Sequence, residues 1–380
     1  MDQPTTAQAG HESDPDALVQ LLGPDGRRHD HPLYGPLLAE LTGEEMRTMY
    51  RDMVLTRAFD AEATSLQRKG ELGLWPPSLG QEAAQVGSAH AYVPRDVVFP
   101  SYREHGVALA RGVDPNALLP VFRGTRHGGW DPRAHNVHLY SFVIGSQALH
   151  AVGYAMGVQR DGDVGTGDPQ RDRAVSVYFG DGATSQGDVS EALVFAASAG
   201  APVVFQCQNN QWAISVPAST QSRTPLARRA EGFGVPAVRV DGNDVLASYA
   251  VTAHALRRAR AGEGPVFVEA YTYRLGAHTT SDDPTRYRSR AEEESWRAKD
   301  PIARMRTYLE QEGLVDDAFL DEVEDAARAC AESARASCHD LTPEPLPTVL
   351  DHVYSAPHPL VDAERAEAQA YVDSFAEVDR

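Results

Sequence analysis

The chain has 380 residues, of which 42% are hydrophobic and 23% are charged, and its formal net charge is −19 at pH 7. This length and composition are typical of a soluble globular protein with one large domain plus appendages. The negative charge argues against nucleic acid or an anionic membrane as the main partner, because both would be repelled unless a local basic patch overrode the overall field.

Two further features of the sequence bear on the cellular compartment. No apolar run reaches the roughly 20 residues of a membrane-spanning helix, and the N-terminal segment lacks the basic and apolar regions of a signal peptide. The cysteines Cys207, Cys330 and Cys338 form no metal-binding spacing, and their odd number suits a reducing compartment. We therefore expect a cytoplasmic protein whose cysteines are structural.

The first predicted elements are an arm and a helix. Residues 1–40 mix Gly, Pro, Asp and His without periodicity, which predicts a segment that is ordered only where it lies on something else. Thr42 and Glu45 have the spacing of a capping box, and apolar residues follow at helical spacing. A helix is therefore predicted from Thr42 to a stop at Gly70.

From residue 174 onward, short β-rich runs alternate with helical stretches. The predicted strands are residues 174–179, 203–207, 237–240 and 266–272. A second capping box, at Asp188 and Glu191, predicts the start of a helix that ends at Gly200. Continuous apolar strands that alternate with helices are typical of an α/β fold with a doubly wound, mostly parallel sheet and right-handed crossovers.

The C-terminal third is charged and helical. Helices after residue 290 are expected to pack peripherally against the same fold or a sister subunit, and the prolines of residues 341–354 predict an extended connector before a final amphipathic helix. The predicted organisation is an arm (1–40), an α/β domain with a helical C-terminal part (41–340) and a C-terminal extension (341–380).

Two neighbouring predicted strands end in small and oxygen-bearing residues instead of apolar ones. The first ends in Gly-Asp-Gly at residues 180–182 and the next in Asn-Asn at residues 209–210. Ligands of such sheets bind beyond the carboxyl ends of the strands, and Mg²⁺ prefers carboxylate, amide and phosphate oxygens. Asp181, Asn210 and the nearby backbone carbonyl of Trp212 therefore form a candidate site for Mg²⁺ and a diphosphate.

These residues also allow other interpretations. Each motif alone is usually an ordinary turn, and only their combination on successive strands is selective. A nicotinamide site is disfavoured because the glycines do not follow G-x-G-x-x-G, and no Walker phosphate loop occurs. A magnesium-dependent phosphate-ester enzyme that uses Asp181, with Asp241 and Asp244 as further carboxylates, remains open. So does a non-catalytic assembly subunit that binds through the helices after residue 290.

The two motifs, with the helix between them, resemble the thiamine diphosphate fingerprint. Four segments resemble, in sequence and in order along the chain, the corresponding segments of one protein family: "GQEAAQVGSAH" from Gly80, "YREHGVALARG" from Tyr102, "QNNQWAIS" from Gln208 and "YRLGAHTTSDDPTRYR" from Tyr273. That family is the alpha subunit of the first component of 2-oxo acid dehydrogenase complexes. The resemblance covers residues 40–340 and implies the thiamine diphosphate-binding fold. It is greatest to the bacterial branched-chain type, and the pyruvate enzymes come next.

The resemblance also implies which residues contact the cofactor. They are Tyr102, Arg103, Ile144, Gly180, Asp181, Gly182, Ala183, Asn210, Trp212 and His278. Asp181, Asn210 and the backbone oxygen of Trp212 would hold Mg²⁺. Tyr102 and Arg103 would bind the diphosphate, for which a phenol and a forked guanidinium are chemically suited. Ile144 would support the bent cofactor, and His278 would act as a catalytic residue from a loop.

A potassium site is implied as well. Ser141, Ser146 and Gln147 align with the potassium site of some relatives, although the sequence departs from the usual pattern at residues 142–143. Gln208 stands where branched-chain relatives often have a diphosphate-binding arginine, which keeps pyruvate open as the alternative substrate.

The implied reaction is the oxidative decarboxylation of a 2-oxo acid with transfer of the acyl group to a lipoyl disulfide. Single-chain thiamine enzymes generally need a second α/β domain for the aminopyrimidine ring, and this chain has room for one αβ series. We therefore expect a beta subunit that supplies the activating glutamate, an α2β2 heterotetramer, and a lipoyl acyltransferase core as a further partner. Neither nucleic acid nor a membrane is expected.

Overall fold

A computed structural model describes residues 16–351 and 353–376 of the chain. Within these residues, six strands form one sheet in the order β1-β7-β8-β4-β3-β2, and every pairing is parallel. Its strands are β1 (Leu18–Val19), β2 (Val97–Phe99), β3 (Val175–Gly180), β4 (Val203–Asn209), β7 (Ala237–Asp241) and β8 (Val266–Tyr271). A separate antiparallel pair joins β5 (Trp212–Ala213) to β6 (Val216–Pro217). The predicted mostly parallel α/β sheet is confirmed.

Helices surround the sheet and continue beyond it. They are α1 (Gly35–Leu38), α2 (Gly43–Arg68), α3 (Glu82–His90), α4 (His105–Ala110), α5 (Leu119–Arg123), α6 (Pro132–His135), α7 (Ser146–Arg160), α8 (Gly187–Ala199), α9 (Ala218–Gln221), α10 (Leu226–Glu231), α11 (Val245–Arg260), α12 (Arg290–Arg297), α13 (Pro301–Gln311), α14 (Asp317–Asp340) and α15 (Pro359–Ala376). In the part of the chain that the structure covers, no helix is both long and apolar enough to cross a membrane.

The two faces of the sheet bury two different sets of side chains. Because successive strand residues point to opposite faces, Val204 and Val268 pack with residues of α2, α3 and α11, while Phe205 and Phe267 pack with residues of α7 and α8. With both faces covered by helices, the ends of the strands are the places where the sheet can present polar groups to a ligand.

The sequence did not predict the two edge strands, β1 and β2, because two or three residues are too few to display a pattern. β1 lies inside the predicted N-terminal arm. After it, the backbone N–H groups of Leu21 and Leu22 donate to the buried carboxylate of Asp244. Residues 1–15 of the arm and 377–380 of the C-terminal extension lie outside the described residues, and the proposed domain boundaries stay a prediction.

Two local predictions were wrong. Helix α8 begins at Gly187, and its N-cap Gln186 makes no side-chain capping bond, so the predicted capping box at Asp188 and Glu191 does not form. The 3₁₀ turn Asp181–Ser185 leads the chain into the helix before Asp188 is reached. The predicted extended connector also contains a 3₁₀ turn, Leu346–Leu350, because a proline is compatible with the first turn of a helix.

The capping box at the start of α2 is confirmed and gives a stability prediction. Thr42 Oγ1 accepts from the Glu45 N–H at 3.2 Å, and Glu45 Oε2 accepts from the Thr42 N–H at 2.8 Å. Thr42→Ala is expected to lower the free energy of unfolding by about 1 kcal/mol, because it leaves helix N–H groups without an acceptor. Urea unfolding of the variant measures this. Thr48→Ala makes the same change inside α2, and a loss equal to that of Thr42→Ala would contradict the capping role.

Candidate functional site

A cleft lies at the carboxyl ends of β3 and β4, where the sequence predicts the site. Its lining is formed by Gln81, Ser101, Tyr102, Arg103, Glu104, Ile144, Gln147, Phe179, Gly180, Asp181, Gly182, Ala183, Gln186, Gln208, Asn210, Trp212, Ala213, Ile214 and His278. All ten residues that the resemblance assigns to cofactor binding are among them. The structure therefore brings these residues together, while their roles remain a prediction.

Asp181 is the first residue of the 3₁₀ turn that follows β3. Its side chain is buried, and Oδ2 accepts from Gln221 Nε2 at 3.1 Å. Burial raises the pKa of Asp181 to about 6, because the ionised form loses its hydration. A desolvated carboxylate that lines a cleft is a favourable site for a cation, which would stabilise the charged form.

Gly182 allows this turn to lie against the segment after β4. A Cβ atom at Gly182 would lie 2.8 Å from the Cβ of Ala213, which is closer than two such atoms can approach. A glycine is therefore required where the two strand ends meet.

The turn after β4 carries the second predicted cation ligand. Gln211 and Ile214 have φ values of 69° and 55°, in the left-handed region that non-glycine residues seldom occupy. The Asn210 side chain donates through Nδ2 to Gln81 Oε1 at 2.8 Å and accepts through Oδ1 from the Trp212 N–H at 3.2 Å. These contacts fix both the backbone and the amide group of Asn210.

Arg274, which sequence analysis did not single out, holds this turn in place. It is buried, and it donates to the carbonyl oxygen of Trp212 at 2.9 Å and to that of Ile214 at 2.8 Å. A carbonyl oxygen has two lone pairs, so the Trp212 oxygen retains one for a cation. The signals for Arg274 in the sequence are its place two residues after the predicted strand 266–272 and its position in the quoted segment from Tyr273.

Arg103 and His278 meet on the other side of the cleft. Arg103 Nη2 donates to the His278 carbonyl oxygen at 2.8 Å and lies 3.3 Å from His278 Nδ1. Burial, with the positive charges of Arg103 and Arg274, lowers the pKa of His278 to about 3, so its imidazole is neutral at pH 7. With Nδ1 accepting from the guanidinium groups, Nε2 carries the proton and is available as a donor.

Tyr102 and Ile144 are two lining residues that are not fully buried. The Tyr102 ring is parallel to that of Phe142, with the ring centroids 6.1 Å apart. Ile144 is 41% exposed and its neighbour Val143 is 71% exposed. The mouth of the cleft therefore presents apolar side chains that this chain alone leaves uncovered.

Two of the three residues assigned to potassium are in contact with each other. Ser141 Oγ and Ser146 Oγ are 3.0 Å apart, and Ser146 Oγ donates to the Val143 carbonyl oxygen. Gln147 Nε2 donates to the Tyr178 carbonyl oxygen, and Gln147 Oε1 is buried without a hydrogen-bond partner in the described part of the chain. This arrangement offers oxygen atoms, one of them unsatisfied, to a monovalent cation.

The carboxylates that a phosphate-ester enzyme would need are engaged elsewhere. Asp241 Oδ2 accepts from Arg304 Nη1 at 2.9 Å, and Asp244 caps α11 by accepting from the Ala247 N–H at 2.9 Å. Neither residue lines the cleft. Across residues 16–351 and 353–376, no group of three or more His, Cys, Asp or Glu side chains is arranged to hold a metal ion by itself. A divalent cation in the cleft would therefore be bound by Asp181 together with oxygen atoms that do not belong to carboxylates.

The raised pKa of Asp181 predicts a change of stability with pH. A carboxyl group with a higher pKa in the folded state stabilises the fold below its unfolded pKa of 3.8, and this contribution is lost as the pH rises through about 6. The loss is about 3 kcal/mol, since each pKa unit corresponds to about 1.4 kcal/mol. Asp181→Asn should remove this part of the pH dependence and exceed the wild type in stability above pH 6, as measured by urea unfolding with a chelator present. Identical pH profiles would contradict it.

Comparisons with known proteins agree on one family. A family model described as "Dehydrogenase E1 component" matches residues 50–345. The chain is similar to the "3-methyl-2-oxobutanoate dehydrogenase subunit alpha" of Mycobacterium tuberculosis, with 47% identity over 353 residues that cover 93% of each chain. It is also similar to the "Pyruvate dehydrogenase E1 component subunit alpha" of Staphylococcus epidermidis, with 36% identity over 339 residues, 89% of this chain and 88% of the relative. The same subunit of Staphylococcus aureus is 35% identical over 339 residues.

Proposed function

Because the chain belongs to the dehydrogenase E1 component family, we propose that it is the alpha subunit of a branched-chain 2-oxo acid dehydrogenase. In this function the enzyme, an oxidoreductase, decarboxylates a branched-chain 2-oxo acid and transfers the acyl group to the lipoyl group of an acyltransferase. The observation that carries the proposal is the buried Asp181 carboxylate, which lies in one cleft with Asn210 at the ends of two adjacent parallel strands. The 47% identity to a 3-methyl-2-oxobutanoate dehydrogenase subunit supports the branched-chain substrate.

The residues of the cleft fit thiamine diphosphate with Mg²⁺. Asp181, Asn210 and the carbonyl oxygen of Trp212 would hold the cation, and Arg103 and Tyr102 would contact the diphosphate. The fit is supported by the raised pKa of Asp181, which is caused mainly by burial, because a cation beside this desolvated carboxylate would stabilise its ionised form. When bound, the cofactor supplies the nucleophilic carbon and the electron sink that decarboxylation of a 2-oxo acid requires.

His278 would donate a hydrogen bond from Nε2 to the diphosphate or to the substrate. A neutral imidazole can do this without adding positive charge beside Arg103 and Arg274; burial, together with the charges of these two arginines, lowers the pKa of His278. Gly180, Gly182 and Ala183 would provide the backbone surface that approaches the cofactor closely. The list of proposed cofactor contacts is thus the one that the resemblance implies.

Potassium is part of the proposal as a structural ion at Ser141, Ser146 and Gln147. The buried and unsatisfied Oε1 of Gln147 supports it, because such an oxygen is destabilising unless it finds a donor or a cation. Potassium binding would hold the segment that carries Ile144 against the cleft.

A beta subunit would complete the site in an α2β2 heterotetramer, with a lipoyl acyltransferase core as the next partner. Two features support a covering subunit. Val143 and Ile144 are exposed at the mouth, and among the described residues the lining holds no carboxylate other than Asp181 and Glu104 that could serve the aminopyrimidine ring. A cytoplasmic location belongs to the same proposal and is supported by Cys207, Cys330 and Cys338, which are free thiols.

Two measurements test the proposal. Calorimetry of the chain with its beta subunit should show that thiamine diphosphate binds when Mg²⁺ is present, whereas ATP does not bind; preferential binding of ATP would overturn the assignment. A decarboxylase assay should give a higher kcat/KM for 3-methyl-2-oxobutanoate than for pyruvate. The reverse preference would favour the pyruvate dehydrogenase alternative, which the 36% identity to such a subunit and the glutamine at position 208 keep open.

A further inference from the structure

A chain of buried polar side chains connects Asn210 to Glu104. Asn210 Nδ2 donates to Gln81 Oε1 at 2.8 Å, Gln81 Nε2 donates to Gln208 Oε1 at 2.9 Å, and Gln208 Nε2 donates to Glu104 Oε1 at 2.6 Å. We call these four residues the amide relay. None of them is more than 6% exposed, so each depends mainly on the others for its hydrogen bonds.

Glu104 determines which way the side-chain amide groups of the amide relay point. Its Oε2 accepts from the Ser101 N–H at 2.6 Å and from Ser101 Oγ at 2.7 Å. A carboxylate that receives donors on both oxygens acts only as an acceptor, so Gln208 must turn its NH₂ group toward Glu104. The oxygen of Gln208 then faces the opposite way.

A hydrogen bond from Gln85 requires the same orientation of the Gln208 amide group. Gln85 Oε1 accepts from the Gly106 N–H at 2.9 Å, and a backbone N–H can only donate. Gln85 Nε2 therefore donates, and it does so to Gln208 Oε1 at 3.2 Å. Glu104, which only accepts, and Gln85 Nε2, which only donates, thus require the same orientation of the Gln208 amide group.

The orientation of Gln208 passes along the relay to Asn210. Gln208 Oε1 requires the NH₂ group of Gln81, which leaves Gln81 Oε1 to accept from Asn210 Nδ2. Oδ1, which also accepts from the Trp212 N–H at 3.2 Å, is then the atom of Asn210 that has a lone pair left for a ligand in the cleft. In the reversed orientation Asn210 would present an NH₂ group, which repels a cation.

We propose that Glu104 is a positioning residue that acts through Gln208 and Gln81 to keep the Oδ1 atom of Asn210 available to a divalent cation. The inference rests on the proposed function, since it takes Asn210 as a ligand of Mg²⁺. It assigns a role to a carboxylate that lines the cleft but is engaged entirely by Ser101 and Gln208.

Glu104→Gln tests this role. The Ser101 N–H still needs an acceptor, so the new amide places its oxygen there and its NH₂ group against the NH₂ group of Gln208. Two donors then face each other where Gln208 had its bond to Glu104. Gln85 Nε2 and the Trp212 N–H still donate to the oxygens of Gln208 and Asn210, so the amides keep their orientation, but Gln208 and Gln81 lose their anchor and hold Asn210 Oδ1 less firmly toward the cleft. The dissociation constant of Mg²⁺, measured by calorimetry at saturating thiamine diphosphate and pH 8 on the full chain with its beta subunit, should rise by about 10- to 100-fold. A value within twofold of the wild type would overturn the proposal.

Asp244→Asn is the matched control for Glu104→Gln. It also neutralises a buried carboxylate that accepts backbone N–H groups, but it lies outside the amide relay and the cleft. Its Mg²⁺ affinity should equal that of the wild type. An equal loss in both variants would assign the effect to general destabilisation and overturn the proposal. If the wild-type complex itself does not bind thiamine diphosphate with Mg²⁺, the proposed function fails, which is a separate outcome.

A double-mutant cycle separates a relay from independent structural roles. Gln81→Met disconnects Asn210 from Glu104, so adding Glu104→Gln should weaken Mg²⁺ binding no further than Gln81→Met alone. Losses that multiply in the double variant would overturn the relay. If Glu104→Gln does not fold, Gln208→Met takes its place in the cycle with the same expected result.

Discussion

Replacing Asp181 by Ala is expected to weaken Mg²⁺-dependent binding of thiamine diphosphate by at least about 100-fold, since even residues that only support a metal ligand are worth about 10- to 100-fold. Asp181 and Glu104 are the carboxylates in the lining of the cleft. Glu104 is held by Ser101 and Gln208, so Asp181 is the negative charge that remains for a cation. Decarboxylation by the complex with the beta subunit should fall with the loss of the cofactor.

The control for Asp181→Ala is Asp172→Ala. Asp172 is also a buried carboxylate, but it accepts from the N–H groups of Thr166 and Gly167 in a loop away from the cleft. Calorimetry should give this variant the cofactor affinity of the wild type. If Asp181→Ala also retained that affinity and full activity, the chain would be a non-catalytic assembly subunit, and the assignment of the cleft would be wrong.

The chain without its beta subunit is expected to decarboxylate 2-oxo acids at least about 100-fold more slowly than the complex, because a missing acid–base group commonly costs about 100- to 10,000-fold in rate. Of the two carboxylates in the lining, Asp181 is assigned to the cation and Glu104 is engaged by hydrogen bonds. No carboxylate of the lining is left to activate the cofactor. In the proposed function, the beta subunit would therefore supply the activating acid.

A titration measures this dependence. Decarboxylation is followed with an artificial electron acceptor while the beta subunit is added to a fixed amount of the chain, and activity should reach a plateau at one beta chain per alpha chain. A beta subunit whose candidate glutamate is replaced by glutamine should assemble without restoring activity. Full turnover by the isolated chain would refute the division of the site between two subunits.

Sequence patterns predicted the parts of the fold that depend on neighbouring residues. β3, β4, β7 and β8 are rich in β-branched and other apolar residues, and the capping box at Thr42 is a local motif, so both were found. The edge strands β1 and β2 were missed because their pairing is decided by distant partners. The capping box at Asp188 was predicted wrongly, since the preceding 3₁₀ turn, which determines where α8 starts, leaves no signal of its own.

The candidate site likewise contains residues that the sequence indicates and residues that only the structure shows. Asp181 and Asn210 stand out in the sequence because oxygen-bearing residues directly follow apolar strands. The contacts that orient them do not: Gln81 and Gln208 are 127 positions apart, and nothing local marks a glutamine as part of a buried chain of hydrogen bonds. A single sequence can therefore indicate the groups that face a ligand, whereas the groups that hold them require the folded coordinates.

The two-residue strand β1 has a consequence for handling the protein. It covers the outer side of β7 through residues Leu18 and Val19, and the N–H groups of Leu21 and Leu22 secure it to Asp244. Proteolysis or truncation that removed this segment would leave a row of unpaired backbone groups on β7, which is the kind of surface that recruits strands from other molecules. Preparations that lose their first two dozen residues should therefore be prone to aggregation, even though the cleft is on the far side of β8.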